Sequence, residues 1–245
     1  MAENKYFVMD FDSTIVQVEP LDELAAVYLK KRRDHDKLLN QIKEITRAGM
    51  EGKIPFSESL EKRVGLLKAD RASVKEVTKR LKKKITPSIL KNKRFFKEYG
   101  KNVYVISGGF REMMLPVTDA LGIPEENVFG NTFEYDKRGK ITGVDKKNVL
   151  SQENGKIKKI KSLRLNGEVY GIGDGYTDYE LKRDGVVKKF FAFTENVRRE
   201  AVVKNADHVI HTFDEFLYIN NLPMSISYPK SRMKILLLEN IHIDA

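Results

Sequence analysis

Two aspartates one residue apart, Asp10 and Asp12, close a short apolar run, Tyr6-Phe7-Val8-Met9. Strand alternation sends both carboxylates to one face and lets the Phe11 between them turn into the core. Side-by-side acids repel each other, a cost that a divalent cation or a proton between them offsets. Two more β-rich runs end in polar turns. Ser107-Gly108-Gly109-Phe110 supplies a hydroxyl and an amide that can face an anion, with glycines that permit close backbone approach. Gly173-Asp174-Gly175-Tyr176-Thr177-Asp178 supplies another hard oxygen ligand in Asp174, with Asp178 able to orient what surrounds it. A few carboxylates in an oxygen-rich shell suit Mg²⁺ held together with water and a substrate phosphate. Phosphoryl transfer fits this inventory, because it needs mainly in-line positioning and charge neutralisation. A carboxylate can serve as its covalent nucleophile.

The elements that must position these turns are short. Strand-like runs lie at 5–10, 102–107, 168–173, 189–193 and 208–212, and helical patterns at 88–99, 110–121, 154–163 and 195–204. Strands alternating with helices predict an α/β, Rossmann-like parallel sheet covered on both faces, with chemistry at the carboxyl ends of the strands. From Glu19 to Lys84 the texture changes: Leu21, Leu24, Ala25, Tyr28 and then Leu60, Val64, Leu67 recur at helical spacing. A crossover of that length is more than one helix. It predicts a helical cap subdomain over 16–84, inserted into a core made of 1–15 and 85–220. A hairpin is expected near 133–142, around Asp136-Lys137-Arg138-Gly139. Asn220-Asn221-Leu222-Pro223 closes the last helix, and 221–245 reads as a linker plus a fresh strand at Met233–Asn240.

A chain of 245 residues can bury a substantial core. It has no cysteine, which excludes disulfides, a thiolate nucleophile and a zinc–thiolate site. The polar start and the lack of any membrane-length apolar run give the expectation of a cytoplasmic protein with no membrane partner. Net charge is +10, with basic clusters at Lys30–Arg33 and Lys79–Lys84. Acids such as Glu61 and Glu76 are interspersed and no stacking aromatics accompany the clusters, so solvated helix faces are expected, and no nucleic-acid partner. The positive field would help draw in a small anionic substrate. His35, His208, His211 and His242 show no metal-ligand spacing and read as structural or exposed.

In this order, Asp10-Phe11-Asp12-Ser13-Thr14, Ser107-Gly108-Gly109, a later lysine and Gly173–Asp178 resemble the motifs of the haloacid dehalogenase (HAD) superfamily of Mg²⁺-dependent phosphohydrolases. The run Asp10 to Glu19 with Asp22-Glu23-Leu24-Ala25, then Met50-Glu51-Gly52-Lys53 and Ser59–Val64, is similar to its phosphoserine phosphatase family. The resemblance spans roughly residues 4 to 215. It implies a HAD-type core with a cap, and hydrolysis of O-phospho-L-serine to L-serine and phosphate, the last step of serine biosynthesis. The alternative is a phosphatase or phosphotransferase acting on another small phosphate ester.

By the same resemblance Asp10 attacks phosphorus to form an aspartyl-phosphate, and Asp12 acts as acid and then base. Ser107, the Gly108 amide and Lys156 meet the phosphoryl charge. Mg²⁺ sits on the Asp10 carboxylate, the Asp12 backbone carbonyl and Asp174, with Asp178 supporting that shell. Thr177 contacts the phosphate or the substrate's edge. Glu19 meets an ammonium, Arg63 clasps a carboxylate, and Met50 and Phe56 close the pocket. Lys158 and Lys159 share the helix start with Lys156, and the family register Gly155-Lys156-Ile157 selects Lys156. Tyr176 departs from the family, being bulkier than the small residue expected after Asp-Gly. The tail from Met233 is similar to the opening strand of 3-phosphoglycerate dehydrogenases, which implies a covalent fusion to such a domain.

Overall fold

The computed structural model describes residues 4–30 and 32–225. Strand β1 (Lys5–Met9) carries apolar residues on both faces, Phe7 and Met9 in one core cluster and Val8 in another. Such a strand belongs in the middle of a doubly covered sheet. It lies there, paired in parallel with β2 (Val103–Phe110) and β6 (Glu168–Gly173). The sheet continues outward through β3 (Val128–Asn131) on one side, and through β7 (Lys189–Phe193) and β8 (His208–Ile210) on the other, in the order β3-β2-β1-β6-β7-β8. All its pairings are parallel. The order reverses between β1 and β6, the position at which open parallel sheets bind their ligands.

Between β1 and β2 run α1 (Pro20–Leu29), α2 (His35–Met50), α3 (Phe56–Leu67) and α4 (Arg71–Leu81). Their apolar stripes, including Leu24, Ile42, Leu60, Val64 and Val77, meet in one buried cluster. The chain then returns through α5 (Pro87–Lys91) and α6 (Lys93–Tyr99). After β2 come α7 (Arg111–Ala120), β3, and the antiparallel hairpin of β4 (Phe133–Tyr135) and β5 (Ile141–Val144). The hairpin leaves the main sheet and packs on α3, with Asp70 bridging to Lys140. Helices α8 (Gly155–Leu163) and α9 (Tyr176–Arg183) flank β6; α10 (Glu200–Val203) and α11 (Phe213–Ile219) complete the order.

The sheet faces differ. On one, Phe7 meets Phe95, Tyr99 and Phe216 edge to face, with centroids 5.2 to 5.8 Å apart. On the other, Val8 and Ile106 pack with Ile157, Ile160, Leu181 and Val202 from α8, α9 and α10.

Three local expectations change. The 88–99 helix breaks at Asn92, whose side-chain amide donates to the Ser88 carbonyl at 2.8 Å and to Asp214 at 2.9 Å. Strand β3 was not expected, because Val128-Phe129-Gly130-Asn131 is short and carries no alternation. Only Glu200–Val203 of the expected 195–204 helix forms. Asn196, in the part that does not, donates to the Ser13 carbonyl and to Thr86, which ties that segment to the loop after β1. The strand at 233–240 and the tail's resemblance lie outside the described residues. Among those described, no helix is long and apolar enough to cross a membrane.

Candidate active site

The end of β1 buries two acids side by side. Asp10 continues in extended conformation and its amide donates to the Ile172 carbonyl at 2.9 Å, which locks it beside β6. The chain then turns over Phe11–Ile15, with Ser13 in the left-handed region at φ 53°. Phe11 is fully enclosed, while Asp10 and Asp12 keep only 4% and 6% of their surface. That is the division of faces expected from alternation, achieved by a turn where a longer strand was expected.

Lys156, at the start of α8, joins two acids. Its Nζ lies 2.9 Å from Asp10 and 2.6 Å from Asp178. The other Asp178 oxygen accepts the Gly175 amide at 3.1 Å, at the start of α9. Gly173 is required for this approach, because a Cβ there would stand 2.3 Å from the Asp178 carboxyl carbon. Asp174 accepts from the Thr14 hydroxyl at 3.0 Å and from Arg199 Nε at 2.9 Å. Arg199 also reaches Glu19 at 3.3 Å, and Ser13 donates to the same Glu19 oxygen at 2.8 Å.

The Ser107-Gly108-Gly109 turn faces this group from β2. Ser107 Oγ accepts the Gly109 amide at 2.9 Å, which leaves its own O–H to donate elsewhere. A Cβ on Gly109 would lie 2.8 Å from both Asp12 carboxylate oxygens, and one on Gly108 would lie 2.2 Å from the Phe56 ring. The two glycines therefore let α3 and the β1 loop close on each other. Phe56, Gly108, Lys156 and Thr177 line a cavity of about 20 Å³. Arg63 is buried in α3, where its Nε donates to the Ser59 carbonyl at 3.3 Å and no carboxylate among the described residues pairs with it. Its charge is nonetheless felt by Asp12, Glu19 and Asp22.

Burial is the largest influence on these acids. It raises Asp12, reinforced by the charges of Glu19 and Asp10. It pushes Glu19 up to about 7, with Asp174 adding and Arg199 opposing. Asp178 is raised to about 8 by burial and then by Asp10, against the pull of Lys156. Burial works against the charge on Lys156 too, but Asp10 and Asp178 outweigh it and hold the ammonium firmly protonated. Among these acids, Asp12 Oδ1 and Glu19 Oε2 are buried with neither a hydrogen-bond nor an ion-pair partner among the described residues, whereas Asp10 Oδ1 faces Lys156. Leaving such atoms unmet costs stability, and a ligand that meets them recovers it.

One oxygen each from Asp10, Asp174 and Asp178 lies within 4.8 Å of the others, a purely oxygen donor set that fits a hard divalent cation. The sequence reading placed Asp178 behind the metal shell, and its carboxylate stands in this cluster beside the other two. The residues singled out from the sequence thus converge here, with Met50 sulfur 3.4 Å from where a Gly175 Cβ would stand. Arg199 was missed. Its only sequence signal was a second arginine in a charged stretch, and nothing local ties it to Asp174.

The chain matches the haloacid dehalogenase-like hydrolase family over residues 7–183. It is 34% identical over 212 residues to the chloroplastic phosphoserine phosphatase of Arabidopsis thaliana, covering 85% of this chain and 69% of that one. A phosphoserine phosphohydrolase-like protein from Francisella tularensis superposes with a TM-score of 0.81 at 32% identity, over 88% of this chain and 99% of that one. A phospho-aspartyl intermediate analogue of phosphoserine phosphatase superposes with a TM-score of 0.70 at 30% identity, over 89% and 99% of the two chains.

Proposed function

The chain belongs to the haloacid dehalogenase-like hydrolases, and from that premise we propose that it hydrolyses O-phospho-L-serine to L-serine and phosphate through an aspartyl-phosphate. The observation that carries the substrate is the pairing of two amino-acid-sized handles with a phosphate site under one set of helices. Glu19 has a buried oxygen without a donor, and Arg63 is a buried guanidinium without a carboxylate. An α-ammonium and an α-carboxylate answer those two needs, while the phosphate lies toward Lys156, Ser107 and the Gly108 amide.

Asp10 supplies the attacking oxygen. As its bond to phosphorus forms, the serine Oγ–phosphorus bond breaks, and Asp12, whose pKa is raised by burial, gives its proton to the leaving oxygen. Asp12, now a carboxylate, takes a proton from water. The water oxygen attacks phosphorus, the Asp10–phosphorus bond breaks, and phosphate leaves. Lys156 stays cationic through both steps and neutralises charge on Asp10 and on the transferring group. Mg²⁺ held by Asp10, the Asp12 carbonyl and Asp174, with Asp178 beside them, would supply charge neutralisation at the phosphoryl oxygens. Thr177 and Phe56 bound the cavity beside Lys156, and Met50 packs over Gly175 nearby.

The test is phosphate release from O-phospho-L-serine, O-phosphothreonine and a sugar phosphate, each with Mg²⁺ and with EDTA. Metal-dependent preference for phosphoserine is expected. Turnover of the sugar phosphate alone would keep the reaction and overturn the substrate.

A further inference from the structure

Helix α9 opens with a tyrosine directly after Gly173-Asp174-Gly175, and its ring reaches across to the helical insertion. A Cβ on Gly52 would lie 2.7 to 2.9 Å from Tyr176 Cγ, Cδ1 and Cδ2, so the ring covers the bare Cα of that glycine. Gly52 sits at φ 71° in the turn that ends α2, where its amide donates to the Gly49 carbonyl and the Lys53 amide to that of Ala48. The same turn carries Met50, whose sulfur packs over Gly175. Tyr176 is also braced by Tyr179, edge to face at 5.6 Å. Two contacts, Tyr176 on Gly52 and Met50 on Gly175, therefore clasp the insertion to the turn and first helical turn that bear Asp174 and Asp178.

Asp10, Asp12, Arg63, Ser107 and Lys156 are all buried, and the cavity beside Lys156 has room for roughly one water, so the site as it stands is closed to an amino-acid phosphate. Substrate is admitted only when the insertion moves off the strand ends, so this clasp parts and re-forms in every turnover. We propose that Tyr176 is a positioning residue that sets the balance between the open and clasped arrangements, acting through Gly52 and Met50 without touching the reacting atoms. The kinetic half of this proposal rests on the phosphoserine reading above.

The test uses the full chain with Tyr176→Ala, Tyr176→Phe and Gly52→Ala, the last made alone and together with Tyr176→Ala. Losing the ring contact should raise KM for phosphoserine about five-fold with kcat unchanged or higher, whereas the phenyl ring of Tyr176→Phe should preserve parental values. Gly52→Ala strains the φ 71° turn in either background and also drives a methyl into the ring, so its rise in KM should be larger beside Tyr176 than beside Ala, and that excess marks direct contact. Amide exchange of the 50–53 turn, measured without substrate, should quicken in Tyr176→Ala. Parental KM and exchange in Tyr176→Ala, additive Gly52→Ala effects, or equal losses in the Phe and Ala variants would each overturn the clasp. Faster exchange in a chain with no phosphoserine turnover would support the clasp and overturn only the substrate assignment.

Discussion

Phe7 and Asp10 stand three residues apart at one strand's end, in opposite surroundings. Phe7 is fully enclosed by Phe95, Tyr99 and Phe216 in edge-to-face contacts, where burial itself is the stabilising event. Asp10 is almost as deeply enclosed but shares its space with Asp174 and Asp178, and one lysine serves it and Asp178 together. There burial is unfavourable, and the raised Glu19 and Asp178 are its mark. The same sheet thus has an end that holds the fold together and an end that the fold holds together. Changes below the strand ends should cost folding and spare chemistry, and changes above should do the reverse.

The sharpest way to break this contrast is Asp10→Asn. If Asp10 is the nucleophile proposed above, phosphoserine turnover should fall by about 10³-fold or more. Thermal unfolding should show a midpoint no lower than the parent's, since one of the crowded charges is gone. A midpoint drop as large as that of a core deletion would contradict the contrast, and retained turnover would contradict the nucleophile.

Next in size is Phe216→Ala, which removes a fully buried ring that packs on Phe7, Phe191 and Phe213. It should cost about 3–5 kcal/mol in denaturant unfolding, with KM for phosphoserine unchanged in the fraction that stays folded. A shift in KM without loss of stability would show that the two regions are not separable.

The smallest effect sharpens the account of the site. Glu19 is raised from 4.5 to about 7, so between those pH values the folded chain binds a proton that the unfolded chain does not. Its contribution to stability is therefore greatest at low pH and is lost as pH rises through about 7. Glu19→Gln removes that dependence. Its unfolding free energy should exceed the parent's at pH 8 by on the order of 1–3 kcal/mol, and the gap should close toward pH 5. A gap independent of pH would mean that Arg199 and Ser13 fully offset the burial of Glu19, and a gap that moved in the parent's favour as pH rises would mean that they exceed it.

Much of this was legible because it is local. The apolar run into Asp10-Phe11-Asp12 and the run into Gly173–Asp178 each state a strand and a polar exit within a dozen residues, and both strands formed where expected. Leu21, Leu24, Ala25 and Leu60, Val64, Leu67 stated helices by period alone. The misses share a different cause. The break at Asn92 is made by a hydrogen bond to Asp214, and the lost helix after Thr194 by Asn196 reaching Ser13 and Thr86. Those partners are more than a hundred residues away in each case, so no window along the chain could hold both.

By itself, the sequence determined the chemical inventory and the alternation of strands and helices, because residue type and hydrophobic period are properties of neighbours along the chain. Only the tertiary structure decided which of those groups meet. Arg199 bridges Asp174 and Glu19 from 25 and 180 positions away, and Tyr176 closes on Gly52 across the insertion. Contacts of that kind are fixed by strand order and packing, which place distant residues side by side only once the chain has folded.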